Sequence, residues 1–273
     1  MQTLSRTVRP TAVAGVFYPD APAVLAHTID ALLADARAAR RGVPRGHIKA
    51  LIVPHAGLVY SGAVAASAYA LLSANTTAVR RVVLLGPAHR VYLREIALPS
   101  ADAFATPLGE VDVDRDAVSA IASMPTVARD RDAHAHEHAL EVQLPFLQRI
   151  LARFTVVPLV VGDVAPDAVA AVLDRLWGDD ETLLVFSTDL SHHLPYERAH
   201  TIDASTVDAM CAGRTLSSEQ ACGARVLNGV SALRKLRALE PHVLDLRNSG
   251  DTAGSRADVV GYLAVAFTEG GRA

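Results

Sequence analysis

Four runs in this chain are apolar almost without interruption: IKALIVP at 48–54, RVVLLG at 81–86, FTVVPLVVG at 154–162 and TLLVFSTD at 182–189. Each is too short for a core helix and rich in Val, Ile and Leu, which fits strands buried on both faces. Such strands need helices above and below, and the segments between the runs have the spacing to supply them. APAVLAHTIDALLADARAAR at 21–40 puts Val24, Leu25, Ile29, Leu32 and Leu33 on one helical face, AVAASAYALL reads as a small-residue helix, and further helices are expected over 137–153, 166–177 and, as a pair, over about 198–238. REIALPS and GEVDVD are short β candidates suited to a partly exposed hairpin. HVLDLRNS and ADVVGYLAVAF, separated by the turn-rich GDTAGSR, read as a terminal strand pair, so the sheet is expected to be mixed. With no linker and no repeat, the expected fold is α/β: a single three-layer α/β/α domain over residues 1–273 with a mixed central sheet.

Composition narrows the function classes. The chain is 51% hydrophobic and 20% charged with a net charge of −3, inside the range of ordinary globular proteins. Its densest basic cluster, RKLR at 234–237, is a solvated helix face, so no nucleic-acid partner is expected. No apolar run reaches the roughly 18 residues of a membrane helix, and the N-terminal stretch lacks the continuous apolar core of a secretory signal; the expectation is a cytoplasmic protein without a membrane partner. Two cysteines, Cys211 and Cys222, give no disulfide framework.

The chemistry gathers at strand ends, where ligands bind in open α/β sheets. His55 follows LIVP, His89 follows VVLLGPA, and Asp189, His192 and His193 follow LLVFST. A histidine after a strand is ordinarily a hydrogen-bonded loop residue. Two endings of one form, an apolar run and a proline before histidine, make a shared metal site an equal reading, since imidazole is the commonest metal ligand. AHAHEHALEVQLPFL adds His134, His136, His138, Glu137 and Glu141 but no HExxH zinc pattern; one histidine and Glu137 are expected to enter the crevice. Cys222 sits in LSSEQACGARVLNGV, where Ser217 or Ser218 with Gln220 can form a capping box, which would put the thiol in the first turns of a helix with a lowered pKa.

Together these segments resemble the Memo family: RPTAVAGVFYP at 9–19, VPHAGLVYSG at 53–62, LLGPAHR at 84–90, EHALEVQLPFLQ at 137–148, STDLSHH at 187–193 and ACG at 221–223. The one departure from the usual pattern is Val226-Leu227 after the cysteine, where Pro-Ile is common. The resemblance implies a fold similar to the class III extradiol ring-cleaving dioxygenases and a metal site of two histidines and a cysteine, falling here on His55, His89 and Cys222, with Asp189 and His192 at further polar positions of the cleft. In microbes such proteins look like one component of the AmmeMemoRadiSam system, which also holds a radical SAM protein.

Related dioxygenases hold iron with two histidines and a carboxylate, and a thiolate in its place softens the site toward copper(I), zinc or a different iron chemistry. The first expectation is a metal-dependent redox enzyme using iron or copper, with zinc as a third metal, acting on a small molecule or peptide in the cleft. His192 or His138 would move protons, and Asp189 and Glu137 would orient or assist them. A non-catalytic metal- or partner-binding protein is the alternative, and an extradiol dioxygenase with Glu137 or Asp189 as third ligand is the remaining one.

Overall fold

The computed structural model describes residues 6–40, 42, 44–74 and 78–269, so both ends of the expected 1–273 domain, and Arg41 and Val43 in the break after the first helix, lie outside the described residues. In chain order the strands are β1 (Val8–Arg9), β2 (Ile48–Val53), β3 (Arg81–Pro87), β4 (Ile96–Leu98), β5 (Ala103–Thr106), β6 (Gly109–Asp112), β7 (Val127–Arg129), β8 (Thr155–Val161), β9 (Thr182–Ser187), β10 (His192–Leu194), β11 (Leu239–Asn248) and β12 (Val259–Glu269). The helices are α1 (Pro22–Ala39), α2 (Leu58–Tyr69), α3 (Arg115–Ile121), α4 (Arg131–Ala135), α5 (Leu144–Ile150), α6 (Pro166–Arg175), α7 (Tyr196–Cys211) and α8 (Ala224–Leu236).

The four apolar runs are β2, β3, β8 and β9, and they lie side by side as the parallel centre of a mixed sheet in the order β2-β9-β3-β8. Their residues are buried almost throughout, as strands covered on both faces must be. Antiparallel strands flank this centre: β12 pairs with β2, β11 and β10 with β12, and β4 with β8. The connection β2–α2–β3 runs one way along the sheet and β8–α6–β9 runs back. Right-handed crossovers therefore put α2 and α6 on opposite faces. α1 and α5 pack with α2, and α8 packs with α6 and α7, which completes three layers. α1 shows why the outer layer forms: Pro22 starts it without a wasted N–H, and Leu25, Ile29 and Leu33, spaced by four, are all buried.

Three expectations change. The hairpin is made by β5 and β6, which join β1 in a separate three-stranded sheet, whereas β4 from REIALPS is buried in the main sheet. The helix expected over 137–153 is a 3-10 turn at Glu141–Gln143 followed by α5, because Pro145 fits only the first turn of a helix. β10 and β7 are short strands with too little sequence to carry a period. Among the described residues, no helix is long and apolar enough to cross a membrane.

Candidate metal centre

Because β2, β9 and β3 are adjacent and parallel, their carboxyl ends open on one edge, and that edge delivers His55, Asp189 and His89. Cys222 arrives from the loop before α8. It is brought in by Gly223, where an added Cβ would stand 2.6 Å from the Thr188 side chain; without one, the Gly223 N–H donates to Thr188 Oγ1 at 2.9 Å. One ligand atom each from His55, His89 and Cys222 lies within 4.8 Å of the others, and His55 Nε2 is 3.4 Å from Cys222 Sγ.

The hydrogen bonds around both rings decide where the lone pairs point. Ser187 spends its one hydrogen on the Ala139 carbonyl at 2.7 Å, so at 2.9 Å from His55 Nδ1 its oxygen must accept. Gln143 supports it, donating to Ser187 Oγ and to the Pro54 carbonyl, both at 2.9 Å, while Tyr69 donates to Gln143 Oε1 at 3.0 Å. His55 therefore carries its proton on Nδ1 and presents a bare Nε2. His89 is held in the same way, with Nδ1 2.9 Å from Glu137 Oε1. Burial alone would raise the Glu137 carboxyl, but the His89 ring and the Ala139 and His89 N–H groups outweigh it and hold it down at about 2. It is an acceptor only, and His89 too presents Nε2.

Two imidazole Nε2 atoms and a sulfur thus face one another, with His55 buried, Cys222 half-buried and His89 exposed. Burial holds the His55 imidazolium down at about 3, so a proton is a poor occupant there. The donor set fits a cation that accepts nitrogen and thiolate ligands: zinc, copper or iron. Cys222 departs from expectation. It precedes α8, whose first residue is Ala224, and the Ser217–Gln220 segment is a turn in which Gln220 Oε1 accepts the Ser217 N–H at 3.1 Å. Burial, reinforced by Asp189, pushes the thiol up to about 12, so a metal ion binding here must displace its proton.

The remaining site residues surround this cluster. His138 stacks on His89 with ring centroids 4.7 Å apart and meets His55 edge-on at 5.4 Å. Its buried Nδ1 is 3.5 Å from Glu137 Oε1 and has no hydrogen-bond partner, and burial lowers its pKa to about 4. Asp189 accepts the His55 backbone N–H at 2.8 Å, and burial raises its carboxyl pKa. His192 lies 2.8 Å from the Leu190 carbonyl through Nδ1, and it lines a cavity of about 500 Å³ with Phe17, Tyr60, His138, Asp189 and Tyr262. His193 adopts φ +56° and pairs with Asp258 at 3.1 Å. His134 is separate: its Nε2 meets the Ala97 carbonyl at 2.9 Å in the core.

Ser187, Gln143 and Tyr69 were not legible as site residues. The one available signal was a pair of polar residues, Glu141 and Gln143, inside the otherwise apolar ALEVQLPFL. Glu141 is fully buried and accepts from Arg9, from Tyr18 and from the Ala12 and Val13 N–H groups at 2.8 and 3.1 Å, which ties the N-terminal segment under the site.

The family model for Memo-like proteins matches residues 9–266. A MEMO1 family protein of Aquifex aeolicus is 36% identical over 277 residues, covering 95% of this chain and 99% of its own length. One from Archaeoglobus fulgidus is 34% identical over 95% of this chain and 99% of its own. Among solved structures, an uncharacterized protein of Escherichia coli K12 superposes with a TM-score of 0.52 over 81% of this chain and 99% of its own, at 15% identity, a likeness of fold. With a matched family model over nearly its whole length and relatives above 30% identity, the chain belongs to the Memo family.

Proposed function

We propose that this protein is a cytoplasmic, metal-dependent redox enzyme of the AmmeMemoRadiSam system, in which His55, His89 and Cys222 hold iron or copper beside a cleft for a small molecule. The observation that carries this reading is the convergence of two bare imidazole nitrogens on one thiol, each nitrogen fixed by a partner on the far side of its ring. Bound there, a redox metal would supply electron transfer and a Lewis-acidic position.

The chain's own residues do the rest. Ser187 and Glu137 hold the rings so that neither turns its N–H toward the ligand position. Asp189 fixes the backbone at His55. His192, with Nδ1 turned to the Leu190 carbonyl and its ring on the cavity wall, exchanges a proton with a molecule in the cleft. His138 stacks on His89 and closes the cluster from one side. Glu137 is engaged by His89, and Cys222 Sγ lies 3.4 Å from His55 Nε2, nearer than Asp189 Oδ2 at 4.0 Å, which favours the thiol over a carboxylate as third ligand. The partnership with a radical SAM protein rests on family resemblance.

The test is metal content by plasma mass spectrometry after anaerobic purification, comparing wild type with His55→Ala and Cys222→Ala, with circular dichroism to establish folding. About one ion of iron or copper per chain, lost in both folded variants, is expected. A folded wild type that refuses iron, copper and zinc overturns the metal reading, and metal binding without metal-dependent oxygen consumption favours the non-catalytic alternative.

A further inference from the structure

The cavity beside His138 and His192 differs from three others of similar size in the charge of its walls. Those three each carry at least two arginines: Arg80, Arg81 and Arg153 in one, Arg40 and Arg247 in another, Arg9 and Arg131 in the third. The cavity beside the metal centre has neither lysine nor arginine in its lining, and its charged residues are Asp189 and Asp258. In a chain with 26 Lys and Arg, that absence is selective.

The walls are apolar and aromatic. Of the eight large hydrophobic side chains exposed among the described residues, three line this one space: Val16 at 79%, Val59 at 66% and Tyr60 at 41%. Clustered exposed hydrophobics of this kind mark a binding surface. They come from two segments clamped together by the Leu58 N–H donating to the Phe17 carbonyl at 2.8 Å, with Tyr262 opposite from β12. A volume of about 500 Å³ suits a small molecule.

We propose that this cavity takes a flat, largely apolar small molecule that carries hydroxyl or amine groups and no phosphate or carboxylate. A phosphate there would meet the exposed Asp258 carboxylate and the Asp189 acid with no guanidinium or ammonium to answer it, and like charges across a binding surface discriminate strongly. Hydroxyl and amine groups find hydrogen-bonding partners in Asp258, Asp189 and the His192 ring, while the ligand's ring lies against Phe17 and Tyr60. The inference deepens the reading of the cleft as the place of the second reactant and rests on it.

The test uses the full-length protein freed of metal, titrated with 2-phenylethanol, 2-phenylethylamine and 2-phenylethyl phosphate and followed by amide NMR shifts and calorimetry. The alcohol and the amine are expected to saturate resonances of the cavity residues, with the phosphate ester at least about tenfold weaker, and Asp258→Lys is expected to raise the ester's affinity relative to the alcohol's by about tenfold. A phosphate ester that binds wild type as tightly as the alcohol overturns the proposal, as does the absence of cavity shifts with the alcohol and the amine. An apolar peptide that fills the cavity where the small probes fail overturns it in favour of a macromolecular ligand. Since no ion is present, failure of the metal reading leaves this ranking untouched, and failure of the ranking leaves the metal content untouched.

Discussion

At the scale of single residues, the metal centre depends on groups that do not belong to it. Ser187 makes His55 a one-sided donor of its Nδ1 proton, and without that acceptor the ring has no reason to keep Nε2 bare. In Ser187→Ala the neutral His55 is expected to populate both tautomers, visible as averaged imidazole nitrogen shifts, and zinc affinity should fall by about 10- to 100-fold, the usual loss when a ligand's supporting partner is removed. An unchanged tautomer would mean that the His55–Cys222 approach sets it instead. The histidines were legible because an apolar run ending in histidine leaves an imprint in one dimension. Cys222 carried only a weak signal of its own, which the family resemblance joined to the histidines, and its expected low pKa failed because the helix starts two residues later and desolvation of the thiol reverses the argument. Ser187 was hidden in plain view within STD, since a serine closing an apolar strand has no periodicity to betray its role.

At the scale of elements, the 137–143 segment is shaped by what grips it. A regular helix would spread Glu137 and Glu141 along one face; instead Glu137 serves His89 and Glu141 serves Arg9, Tyr18 and two N–H groups of the N-terminal segment. The sequence period over 137–153 reads as helical because Leu140, Leu144 and Leu147 are buried, and it contains nothing about a partner more than a hundred residues away. Glu141→Gln removes the charge that answers a buried guanidinium, and breaking such a pair costs about 3–5 kcal/mol. By contrast, the Asp30–Arg149 pair is exposed on both sides, and Asp30→Asn should cost under about 1 kcal/mol. Urea unfolding of the two variants checks the contrast, and equal small losses would show that the N-terminal segment is held by packing alone.

At the scale of the whole molecule, the three-layer fold was written in the four apolar runs, whereas the order β2-β9-β3-β8 was not, and that order is what makes a site of the strand ends. The cost of that site is acid sensitivity. His55, His134 and His138 are held neutral mainly by burial, at about 3, 4 and 4, while in the unfolded chain each takes a proton near 6.5. The unfolded state binds more protons through that window, so their contribution is fully present above about pH 6.5 and is lost as pH falls toward about 4. Glu137, depressed to about 2, adds a further loss below about 4.5. The metal-free protein is therefore expected to lose on the order of 7 kcal/mol between pH 7 and 4.5 in urea unfolding, and His134→Phe should flatten part of that slope without touching the metal centre. Metal acts in the same direction. Binding releases the Cys222 proton, so affinity rises with pH and excess zinc should raise the midpoint clearly at pH 7.5 and hardly at pH 5. A zinc effect equal at both pH values would show that the ion does not take the thiolate, whatever else it binds.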